Sequence, residues 1–237
     1  MKLLLSAALA LFLGACQAPS RAVEIQSWGE LRTVLREGKT EGRVALAAAA
    51  EPELYGLGAV AGLRGEVLVN DGLVWVSCAT APDAVGPARQ PEEGEEATIL
   101  ILAKVSEWAT SELGAMASMV DLEAALRAAG EAAGYDTTKP FPFLIEGTAA
   151  GLSLHVLNGA CPMASNNPDP ERAPYVAELD HTQIALMGFY AENMAGVMTH
   201  HDSALHVHVL TTGSLPVVGH VDELQLVRGA RLQVPRR

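Results

Sequence analysis

Seven histidines, at positions 155, 181, 200, 201, 206, 208 and 220, all follow a stretch of 154 residues that contains none. Neutral imidazole is a good zinc ligand, and three protein ligands with an open fourth position describe a catalytic centre. In ALHVHVLTTGSLPVVGHV, residues 204–221, side chains two apart on a strand share a face. His206 and His208 therefore project together while Val207 and Val209 turn the other way. TTGSLP reads as a turn and VVGHV as the returning strand, which makes His220 a cross-strand neighbour able to reach the same point, with Gly219 leaving room beside it. H-x-H alone is a weak signal, and a lone histidine on an apolar strand is more often packed than ligating. The third histidine leaves metal binding and plain packing both open. His200 and His201, in MTHHDS, are expected to be solvated loop residues rather than to line a pocket mouth. Asp222 and Glu223 are expected to be surface charges.

The elements that must carry these residues are mostly strands. SWGELRTVLREG, residues 27–38, has serine with glutamate three later and Trp28, Leu31 and Leu35 on one helical face, so a first helix is expected up to Gly38. RVALAAAA, LYGLGAV, GEVLVNDGLVWVS and ATILILAKV are short apolar or alternating runs between turn residues and read as strands. Asn70, Asp71 and Gly72 mark a hairpin turn within Glu66–Ser77. PDAVGPARQPEEGEE reads as an acidic solvated loop. DLEAALRAAGEAAG is a second helix that Asp121 can cap. FPFLIEG, LSLHVLN, QIALMGFY, ALHVHVL, LPVVGHV, ELQLV and ARLQV then return as strands, with a loop from Gly159 to Pro174. Runs of strands with few helices imply an α+β fold with a largely antiparallel sheet.

The first residues read differently. MK followed by LLLSAALALFLG is a basic n-region and a short apolar h-region, a signal peptide over residues 1–15. LGAC, Leu13 to Cys16, resembles a bacterial lipobox, which implies lipidation of Cys16, a tether over 16–26, and an extracytoplasmic, lipid-anchored domain in the periplasm or at the cell surface. With Lys2 removed from the 16 basic residues, 15 remain against 28 acidic ones, a charge near −13. Such a balance disfavours nucleic acid and anionic headgroups as partners. Cys78 and Cys161 can pair in an oxidising compartment or remain buried thiols.

LHVHVLTTGSLPVVGHV resembles the HxHF...GGHV segment of the α-acetolactate decarboxylase family. LYGLGAVAGLRGEVLVNDGLVWVS, residues 54–77, resembles that family's YGxGT...GE...DG block. IEGTAAGLSLHV, APY and MGFYAENMAG fall in matching order between the two. The resemblance covers most of the chain after the tether and implies two related sheet-rich halves, about 27–137 and 138–237, with a metal site near their junction. It further implies that His206, His208 and His220 bind Zn2+, that Glu66 is an active-site glutamate, and that the protein is a homodimer acting on a small 2-hydroxy-3-oxo acid. Read by itself, Glu66 would be a solvent-facing carboxylate at a strand end.

The implied reaction converts 2-acetolactate to acetoin. Loss of CO2 leaves an enediolate whose electrons a Lewis-acidic zinc can accept, and a glutamate of raised pKa can return a proton. Two family features are unmatched. Where the family has an arginine after IEG, this sequence has His155, which lacks the permanently charged fork; donation when protonated, metal ligation and plain packing are all open to it. The family's second glutamate, in a tail beyond the last histidine, has no counterpart before Arg237. Zinc-dependent ester hydrolysis and silent ligand binding by a lipoprotein therefore stand as alternatives.

Overall fold

The computed structural model describes residues 23–160, 169–200 and 203–236; the expected signal peptide and Cys16, and also Cys161 and His201, lie outside the described residues. The N-terminal part runs β1 (Glu24–Trp28), α1 (Leu31–Glu37), β2 (Val44–Ala45), β3 (Leu54–Val60), β4 (Glu66–Asn70), β5 (Leu73–Ser77), β6 (Ala79–Ala81), β7 (Ala84–Val85) and β8 (Glu96–Lys104). One antiparallel sheet orders these as β1-β8-β3-β4-β5, with β2 also on β8, while β6 and β7 form a small separate pair. Asp71 and Gly72 both take positive φ, 51° and 73°, which a two-residue turn between right-twisted strands requires. Alternation then aims Leu68 toward the second sheet and Val67 and Val69 toward the opposite face. Glu66 shares the parity of Leu68.

Two local expectations change. Ser27 and Trp28 are strand residues opposite Ile101 and Leu100, and the helix starts only at Leu31. Pairing with β8 satisfies the backbone that a helix would otherwise have to satisfy, and Gly29 at φ 75° breaks the chain direction between them. RVALAAAA keeps just Val44–Ala45 as strand. Its alanines, poor strand formers, coil into a 3-10 turn that buries Leu46 and Ala49.

The second part comprises β9 (Trp108–Glu112), α2 (Met119–Ala132), β10 (Phe141–Val156), β11 (Tyr175–Tyr190), β12 (Leu205–Thr212), β13 (Val218–Leu226) and β14 (Arg231–Pro235). FPFLIEG and LSLHVLN, expected as two strands, are one strand of 16 residues, and LPVVGHV joins ELQLV in the same way. β10 pairs with β11, β11 with β12, β12 with β13, and β13 again with β10. The pairing circuit therefore closes on itself, while β14 and β9 extend from the first half of β10. Together the two parts make an α+β architecture of two largely antiparallel, sheet-rich halves with only two α-helices among the described residues. None of these helices is long and apolar enough to cross a membrane.

Inside the circuit lies the largest apolar cluster, with Phe141, Phe143, Ile145 and Tyr190 almost wholly buried. Each such side chain contributes roughly 1.5–3 kcal/mol by leaving water. Val207 and Val209 of β12 point into this cluster, so the alternate residues His206 and His208 must face outward, toward the first sheet. A second cluster, including Leu57, Leu68, Met187 and Phe189, fills the space where the sheets meet. Bulges adjust the alternation. Along β10, Phe141, Phe143, Ile145 and Ala149 face the core, but after the register shift between Ala149 and Gly151 the core residues are Leu152, Leu154 and Val156. That shift turns His155 to the outer face. On β13, Ser153 is opposite Glu223 and Leu154 opposite Val221, which leaves Asp222 as the extra residue of a bulge.

Helix α2 begins at Ser118, whose side chain accepts from the Asp121 amide at 3.3 Å, and Asp121 accepts in return from the Ala117 amide at 3.0 Å. Ser118, rather than the expected Asp121, is thus the cap, while Asp121 satisfies the amide of the residue before it. Replacing the hydroxyl leaves an amide unpaired, so Ser118→Ala should lower the unfolding free energy by about 1 kcal/mol. Urea denaturation measures this, and an unchanged midpoint would show that the bond contributes nothing.

Candidate metal centre

A cavity of about 620 Å³ opens where the two sheets meet, with Gly58, Ala59 and Glu66 from the first part and His155, His206 and His220 from the second on its walls. His208 and His220 are direct cross-strand partners between β12 and β13, and His220 and His155 are partners between β13 and β10. Three neighbouring strands therefore each present an imidazole on the same outer face. Gly219 sits on the opposite face: a side chain there would meet Leu154 at 2.8 Å, so its room is needed by the core and not by His220.

The ring centroids of His206, His208 and His220 are 5.2–5.5 Å apart. Two of these rings are fixed by backbone carbonyls. His206 Nδ1 lies 2.7 Å from the Met198 oxygen and His208 Nδ1 lies 2.9 Å from the Val67 oxygen. A carbonyl can only accept, so each Nδ1 carries the proton and each Nε2 presents its lone pair. Carbonyl acceptors of this kind orient ligand histidines in metal sites. Burial, followed by the neighbouring imidazoles, holds the pKa of His206 well below the usual histidine value. His220 is depressed in the same way, chiefly by burial, and burial brings His208 down to about 3. All three are neutral near pH 7, the state a metal requires.

His200 joins them. Its ring is 4.8 Å from that of His220 and 5.6 Å from that of His206. One ligand nitrogen each from His200, His206 and His220 lie within 4.8 Å of one another, a group that could hold a metal ion. His200 is half-buried and lines the cavity, contrary to the expectation of a solvated loop residue. The loop that carries it packs on α1, a contact that spacing along the chain does not reveal.

Glu66 does not face solvent as its position at a strand end suggests; it is 2% exposed. The Leu157 amide donates to its Oε1 at 3.3 Å, and its Oε2 stands 3.6 Å from His208 Nε2, too long for a good hydrogen bond. Burial pushes the Glu66 pKa up to about 7, against the opposing pull of His155 and the Leu157 amide. His155 is held by Asp222, whose carboxylate oxygens lie 2.8 and 2.9 Å from Nδ1. Burial alone would depress His155, but the bond to Asp222 and the charges of Glu66 and Asp222 overcome it and raise its pKa. Asp222 is exposed, as expected of a surface charge, but it also lines the cavity because the bulge turns it beside His155. No local sequence signal marks that bulge.

With this geometry in place, comparison with known proteins gives no matching family model and no matching curated protein. Solved structures do match. The α-acetolactate decarboxylase of Bacillus subtilis strain 168 superposes with a TM-score of 0.72 at 15% identity, covering 90% of this chain and 86% of that one. The acetolactate decarboxylase of Bacillus subtilis subspecies spizizenii gives 0.70 at 15% identity, with coverage of 90% and 86%. A Staphylococcus aureus protein of unknown function, described as similar to α-acetolactate decarboxylase, gives 0.68 at 17% identity over 90% and 85%. The chain thus has the acetolactate decarboxylase fold.

The raised Glu66 pKa sets a pH dependence in metal-free protein. The unfolded carboxyl titrates near 4.5 and the folded one near 7, so the folded state binds the proton more tightly between those values and loses stability as pH rises through them. The penalty on going from pH 4 to 8 is about 3 kcal/mol. Chelator-treated wild type should lose that much relative to Glu66→Gln, as measured by denaturant titrations along the pH series; parallel curves would contradict the burial of an ionisable Glu66.

Proposed function

We propose that the protein is a zinc-dependent decarboxylase that converts 2-acetolactate to acetoin. The observation that carries this is Glu66, a buried carboxyl with a pKa near 7 standing 3.6 Å from His208 in a histidine-lined cavity of the acetolactate decarboxylase fold. The donor chemistry suits zinc: His206, His208 and His220 are neutral, two of them have the Nδ1 proton tied to a carbonyl, and the resemblance makes these three the residues that would hold the ion, although the ligand nitrogens that gather within 4.8 Å are those of His200, His206 and His220 and not of His208. Zinc, if bound there, would supply a Lewis acid for the electron density released on decarboxylation.

The remaining roles belong to the chain itself. With Oε1 bonded to the Leu157 amide, Glu66 keeps Oε2 as the oxygen that carries a proton toward the carbon that has lost CO2. Burial favours its protonated form, the form able to give that proton. Asp222 orients His155 and sustains its positive form, which gives the substrate carboxylate a donor where the resembled family has arginine. Leu31, Leu35, Leu157 and Val176 form apolar walls of the cavity that limit water at the reacting carbon. The His155–Asp222 pair also favours a second reading, ester hydrolysis, because an imidazole backed by a carboxylate can take a proton from water.

The LGAC sequence supports the further proposal of a domain anchored outside the cytoplasm through a lipidated Cys16, and the resemblance supports a homodimer. Zinc-loaded protein incubated with racemic acetolactate should form acetoin above the spontaneous rate. Glu66→Gln should cut this by about 100-fold to 10,000-fold, and His208→Ala should abolish it together with metal retention. Acetoin formation no faster than in buffer rejects the decarboxylase, and turnover of a simple ester that is lost in His208→Ala would put hydrolysis in its place.

A further inference from the structure

We infer that His200 is a metal ligand, delivered to the centre by the loop between β11 and β12 and joining His206 and His220 on the same ion. The inference rests on the metal reading above and deepens it, because His200 is not among the three histidines that the resemblance supplies.

The loop is held at several points. The Ala191 amide donates to the Ala204 carbonyl at 2.8 Å and closes its neck, while the Gly196 amide to Thr199 at 2.8 Å and the Met198 amide to Met194 at 2.9 Å fold it internally. Its crest hangs on α1, where the Arg32 amide donates to Gly196 at 2.8 Å and the Leu31 amide to Val197 at 3.3 Å. Those are first-turn amides with no partner inside their own helix, so the loop serves as the cap that α1 lacks: Glu30 makes no side-chain capping bond. The next residue along, Met198, accepts the Nδ1 proton of His206. One short segment therefore both orients a predicted ligand and places His200 beside it.

Chemistry favours a cation at this point. Three ligand nitrogens from neutral or half-buried imidazoles gather within 4.8 Å, and zinc–nitrogen bonds of about 2.1 Å would draw them together by roughly 1 Å. No carboxylate belongs to this trio; of the acids on the wall, Glu66 is directed at His208 and Asp222 at His155.

The test is metal binding, read without turnover. Full-length protein is stripped with chelator and titrated with Co2+ alone, following the visible absorption bands, and with Zn2+ by calorimetry. Loss of a ligand costs at least what loss of an outer-sphere partner does, so His200→Ala should weaken binding by about 10-fold to 100-fold or more and change the Co2+ band shape, whereas His181→Ala should change neither. Because His200→Ala can disturb the loop, wild-type protein is also treated with diethylpyrocarbonate. His200 should be modified in stripped protein and protected once Zn2+ is bound, as read by mass spectrometry of its peptide. Equal Co2+ affinity and spectrum in His200→Ala, or equal modification with and without Zn2+, overturns the role of His200 while leaving the metal centre intact. No binding of either ion by wild type overturns both.

Discussion

The site depends on a pair of hydrogen bonds from imidazole to backbone carbonyl. His208 lies on β12 and its acceptor, Val67, lies on β4 of the other sheet, so this bond sets the orientation of a ring and ties the sheets together in one contact. His206 makes the equivalent bond to Met198 in the loop packed against α1. In both cases the proton is committed to Nδ1, and the opposite nitrogen is left with a lone pair facing the cavity. The first sheet therefore shapes the site even though it contributes no histidine: its carbonyl selects the tautomer of His208 and its Glu66 stands beside that ring.

Around that core the charges are arranged in opposition. Burial keeps His206, His208 and His220 neutral, while His155, on the neighbouring strand, is pushed the other way by Asp222 and Glu66. Glu66 feels both influences, with desolvation raising its pKa and His155 resisting. Environments that drive titratable groups apart within one cavity are characteristic of acid–base sites. The device that creates the opposition is geometric: a bulge on β10 reverses which side chains face outward, and a bulge on β13 swings Asp222 alongside His155.

These bulges also mark what the sequence could and could not disclose. Period-two alternation in LHVHVL is enough to put His206 and His208 on one face, and a turn of TTGSLP is enough to bring His220 opposite His208, because both rest on local strand geometry. The hairpin at Asp71–Gly72 is legible for the same reason. Asp222 and His200 were beyond reach: the first is aimed by an irregularity that needs its partner strand to exist, the second by a loop whose anchors come from α1, more than 150 residues earlier by its numbering. Ser27 and Trp28 show the converse, a good helical pattern overruled by a neighbouring strand that offers the backbone better company. Glu66 is intermediate. Its place at the head of a strand was plain, but its burial is a property of two sheets meeting.

The closed circuit of β10, β11, β12 and β13 has a bearing on how the protein matures. In an open sheet, a strand can slide by two residues and lose a little; in a circuit, every neighbour must slide with it. The spacing of His155, His208 and His220 is thus set by strand pairing, with a filled apolar interior behind them. Small domains that depend on zinc to fold assemble their ligands and their tertiary structure in the same event. Here the apolar interior is filled by the chain's own side chains, so under the proposed function a cation would be added to a finished receptacle and would not serve as the nucleus around which the fold assembles.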